Sequence, residues 1–78
     1  MITVKLFGLL RLDAGVKELQ ADAADVRQLR RQLPQLCSRL TPEALRSCII
    51  LVNGQPAKDR TKLTHGDVVT LLSPVAGG

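Results

Sequence analysis

The residues best placed to do chemistry in this sequence are its last five, Pro74-Val75-Ala76-Gly77-Gly78. They follow an apolar run, Val68–Leu72, that predicts a final strand, and Pro74 stops strand pairing because it has no N–H to donate. Fully extended at about 3.4 Å per residue, five residues reach roughly 17 Å. We therefore expect one domain over residues 1–73 and a flexible tail over residues 74–78 that can enter another protein's active site.

Other reactive side chains form no recognisable site. Cys37 and Cys48 lack CxxC or metal-ligand spacing, so we interpret them as small apolar core residues of a reduced protein. His65, the single histidine, lies in a predicted turn and is expected at the surface. There is no Walker loop, no GxGxxG motif and no nucleophile elbow. We expect no bound metal or cofactor and no complete active site.

The formal net charge is +4, which raises the question of nucleic-acid binding. Much of the excess comes from arginines in a predicted helical region: Arg27, Arg30, Arg31, Arg39 and Arg46. Single-strand binders need aromatic stacking platforms, and Phe7 is the one aromatic residue. We therefore predict a solvated basic face and no nucleic-acid partner.

No apolar run approaches the ~20 residues of a membrane span. The first five residues also lack the charged and apolar regions of a signal peptide. We predict a cytoplasmic protein with no membrane partner.

The first strand is predicted over Ile2–Phe7, where apolar and polar residues alternate. Ile2, Val4 and Leu6 share the face assigned to the core. Phe7 then points away from the core, unless a local bulge turns it inward, and the alternation leaves both open. Residues 8–12 lead into a predicted turn at residues 13–15, and residues 16–20 predict an antiparallel second strand.

A helix is predicted after residues 21–25, with Asp22 or Asp25 as its N-cap. Its apolar stripe comprises Val26, Leu29, Leu33, Leu36, Cys37 and Leu40. Pro34 is expected to kink the helix or to end it near Leu33. Thr41-Pro42-Glu43 predicts a new helix start.

Residues 48–52 form an apolar, β-branched run that predicts a strand, and Asn53-Gly54 is a strong hairpin signal. Pro56 confines the return strand, residues 55–57, to a sheet edge. Residues 58–62 predict a charged loop, Leu63 a core anchor, and residues 64–67 a tight turn.

These elements predict an α+β fold, because two β units surround one main helix. A right-handed crossover places the last strand centrally and parallel to the first, as in a β-grasp sheet of four to five strands. Parallel strands end at the same edge of a sheet. Phe7 is therefore expected near Leu72 and the base of the tail.

Four motifs span essentially the whole sequence: Val4-Lys5-Leu6-Phe7-Gly8 with Arg11, Val52-Asn53-Gly54, Leu63-Thr64-His65-Gly66-Asp67-Val68, and the Pro74-Val75-Ala76-Gly77-Gly78 ending. With these motifs the chain resembles the small subunits of molybdopterin synthase, within the ubiquitin-like family of sulfur carriers that includes the thiamine-pathway carrier. Ser73 stands where many relatives carry a second proline, and the helix is unusually basic.

The resemblance implies a sulfur carrier. A partner resembling the ubiquitin-activating enzymes would adenylate the Gly78 carboxylate with ATP, and a donor protein's persulfide would displace AMP. The resulting thiocarboxylate would pass sulfur to a pterin precursor in the large synthase subunit. Pro74, Val75, Ala76 and Gly77 would insert with it, and glycines suit a narrow channel because they lack Cβ atoms.

The same resemblance implies that Phe7, Arg11, Pro56 and Leu72 contact the partner. For Leu72 an ordinary core position is equally open. Lys58, Arg60 and Lys62 would either flank this surface or form a solvated loop.

Three alternatives to a molybdopterin role remain at this stage. The chain could carry sulfur for thiamine, cysteine or another product. It could be a ubiquitin-like modifier that joins Gly78 to lysines of other proteins. It could also be a non-covalent binding module to which the tail is irrelevant.

Overall fold

Five strands form one mixed sheet in the computed structural model, which describes residues 1–73 apart from the side chains of Leu9 and Asp13. The strands are β1 (Ile2–Phe7), β2 (Glu18–Ala21), β3 (Ile49–Val52), β4 (Gln55–Pro56) and β5 (Val68–Leu72). Their order across the sheet is β2-β1-β5-β3-β4. β5 is central and parallel to β1, while the other neighbours are antiparallel, as the crossover argument predicted.

Residues 1–73 also contain three helices: α1 (Leu9–Ala14), α2 (Val26–Leu36) and α3 (Pro42–Ser47). Asp25 is the N-cap of α2, because its Oδ1 accepts the backbone N–H of Gln28 at 2.8 Å. Thr41 caps α3, where its Oγ1 accepts the N–H of Ala44 at 3.1 Å. Both helix starts therefore follow from short polar side chains that the sequence makes visible.

The core is aliphatic and lies between the sheet and the helices. Its strand side includes Val4, Leu6, Ile50, Val69 and Leu71, and its helix side includes Val26, Leu29, Leu33 and Leu45. Leu63 is buried, as predicted for an anchor. Cys48 is buried and Cys37 packs against the core, so both are small core residues as expected. Burial raises the pKa of the Cys48 thiol.

Helix α1 was not predicted. Residues 9–14 are helical where the sequence indicated a path into a turn. The helix ends at Gly15, which adopts the left-handed conformation (φ 75°) and donates its N–H to the Arg11 carbonyl at 3.1 Å. Six residues are too few for a periodic signal. β2 also begins at Glu18, two residues later than predicted.

Pro34 does not end the main helix. α2 continues to Leu36, so of the two predicted alternatives, a kink or an end near Leu33, the end is wrong. Pro34 lies in the last turn, where one missing N–H removes a single bond, and the N–H of Cys37 still reaches the Leu33 carbonyl at 2.9 Å. Leu36 is 49% exposed and therefore does not belong to the buried stripe.

No helix in residues 1–73 combines the length and the apolar character needed to cross a bilayer. The predictions for residues 74–78 lie outside the described residues, and the boundary between domain and tail stays a prediction.

Candidate functional site

The end of β5 lies beside the ends of two other strands. The parallel register pairs Phe7 with Leu72, as predicted, and the antiparallel register pairs Leu72 with Ile49 of β3. Residues paired in register point to the same face of a sheet. Phe7, Leu72 and Ile49 therefore form one row across three strands, which we call the outer row. Ser73, the next residue after β5, leads from this row to the tail.

The outer row points away from the core. Its chain neighbours Leu6, Leu71 and Ile50 are all buried, and side chains alternate between faces along a strand. Phe7 is 42% exposed and Ile49 is 51% exposed, whereas Leu72 is half-buried. The prediction that Phe7 points outward is confirmed, and the alternative of an inward bulge is wrong. Leu72 belongs to the outer face rather than to the core.

A second row of outward positions lies beside the first. This second row consists of residues paired in register across β1, β5, β3 and β4, which are Lys5, Thr70, Leu51 and Pro56. Leu51 is half-buried and Pro56 is exposed at the edge strand. The outer face near the tail is thus apolar on its β3–β4 side, with Lys5 on the other side.

Ile49 and Leu51 were missed by sequence reasoning. The signal was present, because residues 48–52 are apolar at every position. Such a run is typical of a strand that is covered on both faces. Within the described residues the second face is open, which points to a covering partner.

Arg11 lies on α1, close to Phe7. Together with Lys5, Lys17 and Glu18, these two residues line a shallow depression of about 200 Å³. The depression carries three cationic side chains and one carboxylate. The structure therefore brings Arg11 and Phe7 together, while Pro56 lies at the opposite edge of the sheet.

Gly8 connects α1 to the residue before the tail. Its backbone has φ 67° and ψ −144°, a conformation that is essentially restricted to glycine. A Cβ at this position would lie 2.5 Å from the Ser73 Oγ. A side chain at this position would therefore require the Ser73 hydroxyl to rotate away, in addition to the backbone cost.

A polar clamp fixes the opposite end of β5. The Asn53 side-chain amide donates to Asp67 Oδ1 at 3.0 Å, and the backbone N–H of Thr64 donates to Oδ2 at 2.9 Å. The N–H of Val68 donates to Asn53 Oδ1 at 2.9 Å. The Thr64 N–H first, and then the Asn53 amide, hold the pKa of the Asp67 carboxyl below its usual value. This clamp joins the β3–β4 hairpin to the start of β5 and so helps to fix the register of the outer row.

The charged loop over residues 58–62 packs against the helical side. The N–H of Val26 donates to the Thr61 carbonyl and the N–H of Arg27 donates to the Asp59 carbonyl, both at 3.0 Å. Because the loop is attached to the start of α2, we interpret residues 58–62 as a solvated loop and not as residues that flank the outer row.

His65 is exposed, as predicted, with its Nδ1 close to the Met1 amino group. No group of His, Cys, Asp and Glu side chains within residues 1–73 is arranged to hold a metal ion.

The comparison with protein families decides the assignment. The ThiS family profile matches residues 4–78 of the sequence. The chain belongs to the ThiS family. The resemblance to sulfur carriers that was drawn from the four motifs is thereby confirmed.

Solved structures agree with this ThiS-family assignment. SAMP1 from Haloferax volcanii is 25% identical with a TM-score of 0.88, and the match covers 99% of this chain and 98% of that one. A chain of the complex of subunits 1 and 2 of molybdopterin-converting factor from Helicobacter pylori 26695 is 32% identical with a TM-score of 0.72, over 99% and 97%. A chain of the BexX/CysO complex from Amycolatopsis orientalis is 26% identical with a TM-score of 0.77, over all of both chains.

The fold is therefore the ubiquitin-like β-grasp, as predicted. Two of these similar chains come from complexes with a partner protein. No curated protein sequence matches the chain significantly.

Proposed function

We propose that this ThiS-family protein carries sulfur as a thiocarboxylate at Gly78 and delivers it in molybdopterin synthesis. The observation that carries the proposal is the family match, which runs through residue 78 and so includes the Gly-Gly ending. The 32% identity to a chain of the molybdopterin-converting factor complex supports this product over others.

The proposed cycle starts with activation of a poor electrophile. An adenylyltransferase resembling the ubiquitin-activating enzymes binds ATP, and an oxygen of the Gly78 carboxylate attacks the α-phosphorus. Pyrophosphate leaves, and Gly78 becomes a mixed anhydride with AMP. The carbonyl carbon is now open to attack because AMP is a good leaving group.

Sulfur then enters in two steps. The terminal sulfur of a donor protein's persulfide attacks the carbonyl carbon and expels AMP, which forms an acyl disulfide. A second thiol attacks the donor-side sulfur of the S–S bond, so that the thiocarboxylate stays on Gly78 and the two thiols end as a disulfide. Transfer of this sulfur to the pterin precursor, with water supplying the replacing oxygen, restores the carboxylate.

In this proposal the chain is a carried substrate and a synthase subunit. It supplies the acyl group, and its partners supply ATP binding and the catalytic groups. We expect the chemistry to run in the cytoplasm, where thiols stay reduced.

The outer face is the proposed docking surface for the large subunit and for the adenylyltransferase. Phe7, Leu72 and Ile49 offer an exposed apolar row next to Ser73, with Leu51 and Pro56 beside it. Exposed aromatic and aliphatic groups of this kind are typical anchors of interfaces. A partner bound there would receive the tail without searching for it, because only Ser73 separates Leu72 from the first tail residue, Pro74.

Arg11 and the neighbouring lysines would add charge selectivity at the rim of this surface. Rim charges mainly affect the association rate and the choice of partner rather than the affinity. Residues 74–77 would then lead Gly78 over a reach of roughly 17 Å into the partner's active site.

A ubiquitin-like modifier is the second candidate function. The likeness to SAMP1, whose name in a related structure is small archaeal modifier protein 1, favours it specifically. Activation at Gly78 would be the same, but a lysine amine would displace AMP and form an isopeptide bond. Sulfur carriage for another product is a third candidate, supported by the likeness to a chain of the BexX/CysO complex and by the family name.

Reconstitution distinguishes these candidates. The chain is incubated with the adenylyltransferase of its own organism, ATP and a persulfide donor, and then with the large synthase subunit and the pterin precursor. We expect sulfur to appear in the pterin and Gly78 to return to the carboxylate. A sulfurated chain that leaves the pterin unchanged contradicts the molybdopterin role, and isopeptide-linked lysines on partner proteins would favour the modifier.

A further inference from the structure

A groove of about 460 Å³ lies between α2 and α3. It belongs to the helical layer and so lies across the core from the outer row. Its apolar lining comes from Pro34, Pro42 and Leu45, and its charged lining from Arg30, Arg31 and Arg46. Its volume falls within the range of ordinary ligand sites, about 300–1,000 Å³.

Both helices present matching stripes to this groove. On α2, Pro34 follows Arg30 by one helical turn. On α3, Leu45 and Arg46 follow Pro42 at spacings of three and four. Residues at these spacings share one face of a helix. Each helix therefore contributes apolar surface and at least one guanidinium to the same groove.

The positive charge of the groove is only partly compensated. The buried Nε of Arg30 lies 3.4 Å from Asp59 Oδ1 and has no hydrogen-bond acceptor within the described residues. Among the described side chains, which exclude Leu9 and Asp13, Arg31 and Arg46 make no ion pair. Two uncompensated guanidinium groups thus lie beside apolar surface.

We propose that this groove binds an acidic peptide segment of a partner protein. Its carboxylates would pair with Arg31 and Arg46, and an apolar side chain between them would pack on Pro34, Pro42 and Leu45. Guanidinium groups suit this role because they bind carboxylates in a bidentate manner and keep their charge when partly desolvated. The argument rests on charge complementarity and is independent of the chemistry at Gly78.

The groove and the outer row lie on opposite sides of the core. A partner held in the groove leaves the outer row accessible, so the chain can bind two partners at once. The basic helix face then has a role of its own rather than being only solvated.

An acidic peptide fits the groove better than a nucleic acid does. The uncharged lining is aliphatic apart from Gln35, and Phe7, the only aromatic residue of the chain, lies on the outer row. Single-stranded nucleic acids need aromatic platforms and a charged track along several phosphates. A short groove with an apolar centre suits carboxylates that flank an apolar side chain.

The test uses an acetylated synthetic peptide, Glu-Glu-Leu-Glu-Glu-Leu, titrated into the full ¹⁵N-labelled chain at about 50 mM salt, where charges are weakly screened. We expect saturable binding with a Kd below about 1 mM and amide shifts in the second half of α2 and in α3. The double variant Arg31→Glu/Arg46→Glu should weaken binding at least about tenfold, because two charge-assisted pairs are lost.

Two matched controls separate the groove from general charge attraction. Arg27→Glu/Arg60→Glu changes the net charge equally on exposed residues outside the groove, and should change the Kd by less than about threefold. A peptide with serine in place of leucine should bind several-fold more weakly than the original. Amide spectra and thermal melts of each variant check that the fold is kept.

Several results would overturn the proposal. They are the absence of saturable binding, shifts confined to surfaces other than the groove, and equal losses in the two double variants. Equal affinity for the serine peptide, or tighter binding of a ten-nucleotide oligo-dT than of the peptide, would overturn it as well.

Discussion

Gly8, at the start of α1, lies close to Ser73, the residue before the predicted tail. Two features disfavour a side chain at this position. Its φ is left-handed, and a Cβ would lie 2.5 Å from the Ser73 Oγ. Gly15 shares only the left-handed φ, because a Cβ there would lie within 4 Å of no atom among the described residues. The two glycines therefore form a matched pair for experiment.

We predict that Gly8→Ala destabilises the fold more than Gly15→Ala does. The backbone of Gly8 is costly for any other residue, on the order of 1–3 kcal/mol, whereas the left-handed helical region at Gly15 costs an alanine about 1 kcal/mol. Urea unfolding of both variants measures the difference. If the two variants lose equal stability, neither the backbone conformation of Gly8 nor its approach to Ser73 adds to the cost of a positive φ.

Cys48 and Cys37 differ in burial, and their reactivity should differ accordingly. Cys48 is buried, its Sγ lies 3.0 Å from the Leu45 carbonyl, and burial raises its pKa, so little thiolate forms at mild pH. Cys37 is half-buried. We expect iodoacetamide at about pH 8 to modify Cys37 first and Cys48 only after denaturant is added.

Peptide mass spectrometry at several times reads out both sites in one experiment. Cys37→Ser should remove the early modification and leave the slow one. Rapid modification of Cys48 in the native chain would contradict the buried position.

Exposure at single positions was only partly predictable. For Phe7 the alternation of β1 indicated the outer face, but it left a local inward bulge open until the structure was known. Ile49 could not be assigned, since its strand is apolar throughout and gives no sign of which residues face outward. Leu36 kept the helical spacing of the stripe, yet it ends up exposed at the last position of α2.

At the scale of elements, β5 is fixed at its start by the Asn53–Asp67 clamp. The carboxylate accepts two N–H donors, which favours its charged form and lowers its pKa in the folded chain. A carboxyl group with a lowered folded pKa stabilises the fold above its unfolded pKa of about 3.9, and this contribution is lost as the pH falls through the folded pKa.

We therefore predict a pH-dependent effect of Asp67→Asn. The variant should be less stable than the parent chain at pH 7, and the difference should shrink as the pH falls below about 4. Urea unfolding across this range measures it. In a double-mutant cycle Asn53→Ala should be non-additive with Asp67→Asn, because the two side chains share one network. A stability difference that does not vary with pH would contradict the clamp.

The β1–β5 pair leads to a docking prediction. Phe7→Ser removes the exposed aromatic group of the outer row, and Leu12→Ser removes an even more exposed apolar group (74%) from α1, outside that row. We expect Phe7→Ser to lower kcat/KM for adenylation about tenfold or more, as loss of an interface anchor does. Leu12→Ser should leave kcat/KM nearly unchanged.

ATP–pyrophosphate exchange with the adenylyltransferase measures both variants, and thermal melts check their folding. Equal effects of Phe7→Ser and Leu12→Ser would show that the outer row is not the docking surface.

The elements themselves were largely readable from the sequence. The hairpin at Asn53-Gly54 and the helix start at Thr41-Pro42-Glu43 each follow from a local physical rule, and the central last strand follows from the crossover rule. For the N-cap of α2 the sequence left Asp22 and Asp25 open, and the structure selects Asp25.

α1 was not readable, because six residues are too few to show helical periodicity. Its N-cap, Gly8, also has no side chain that would signal a helix start. The continuation of α2 past Pro34 depends on the free-energy cost of one missing hydrogen bond in the last turn. The spacing of apolar residues does not reveal this cost.

At the scale of the whole molecule, the parallel pairing of β1 with β5 is the feature that connects fold to function. It places the end of the first strand beside the end of the last, so an apolar surface and Ser73, the last described residue, share one edge. The order of the elements and the right-handed crossover predicted this edge. The groove across the core was not predicted, because it requires two helices to meet at an angle that the sequence does not encode locally.

The central claim is that Gly78 carries sulfur, and the most direct test is the intact mass of the protein purified from its native cell. The account predicts a fraction heavier by the exchange of one oxygen for one sulfur, with C-terminal fragments that assign the change to Gly78. A chain truncated after Ala76 should never show this fraction. Unmodified Gly78 throughout, even after incubation with the adenylyltransferase, ATP and a persulfide donor, would contradict the account.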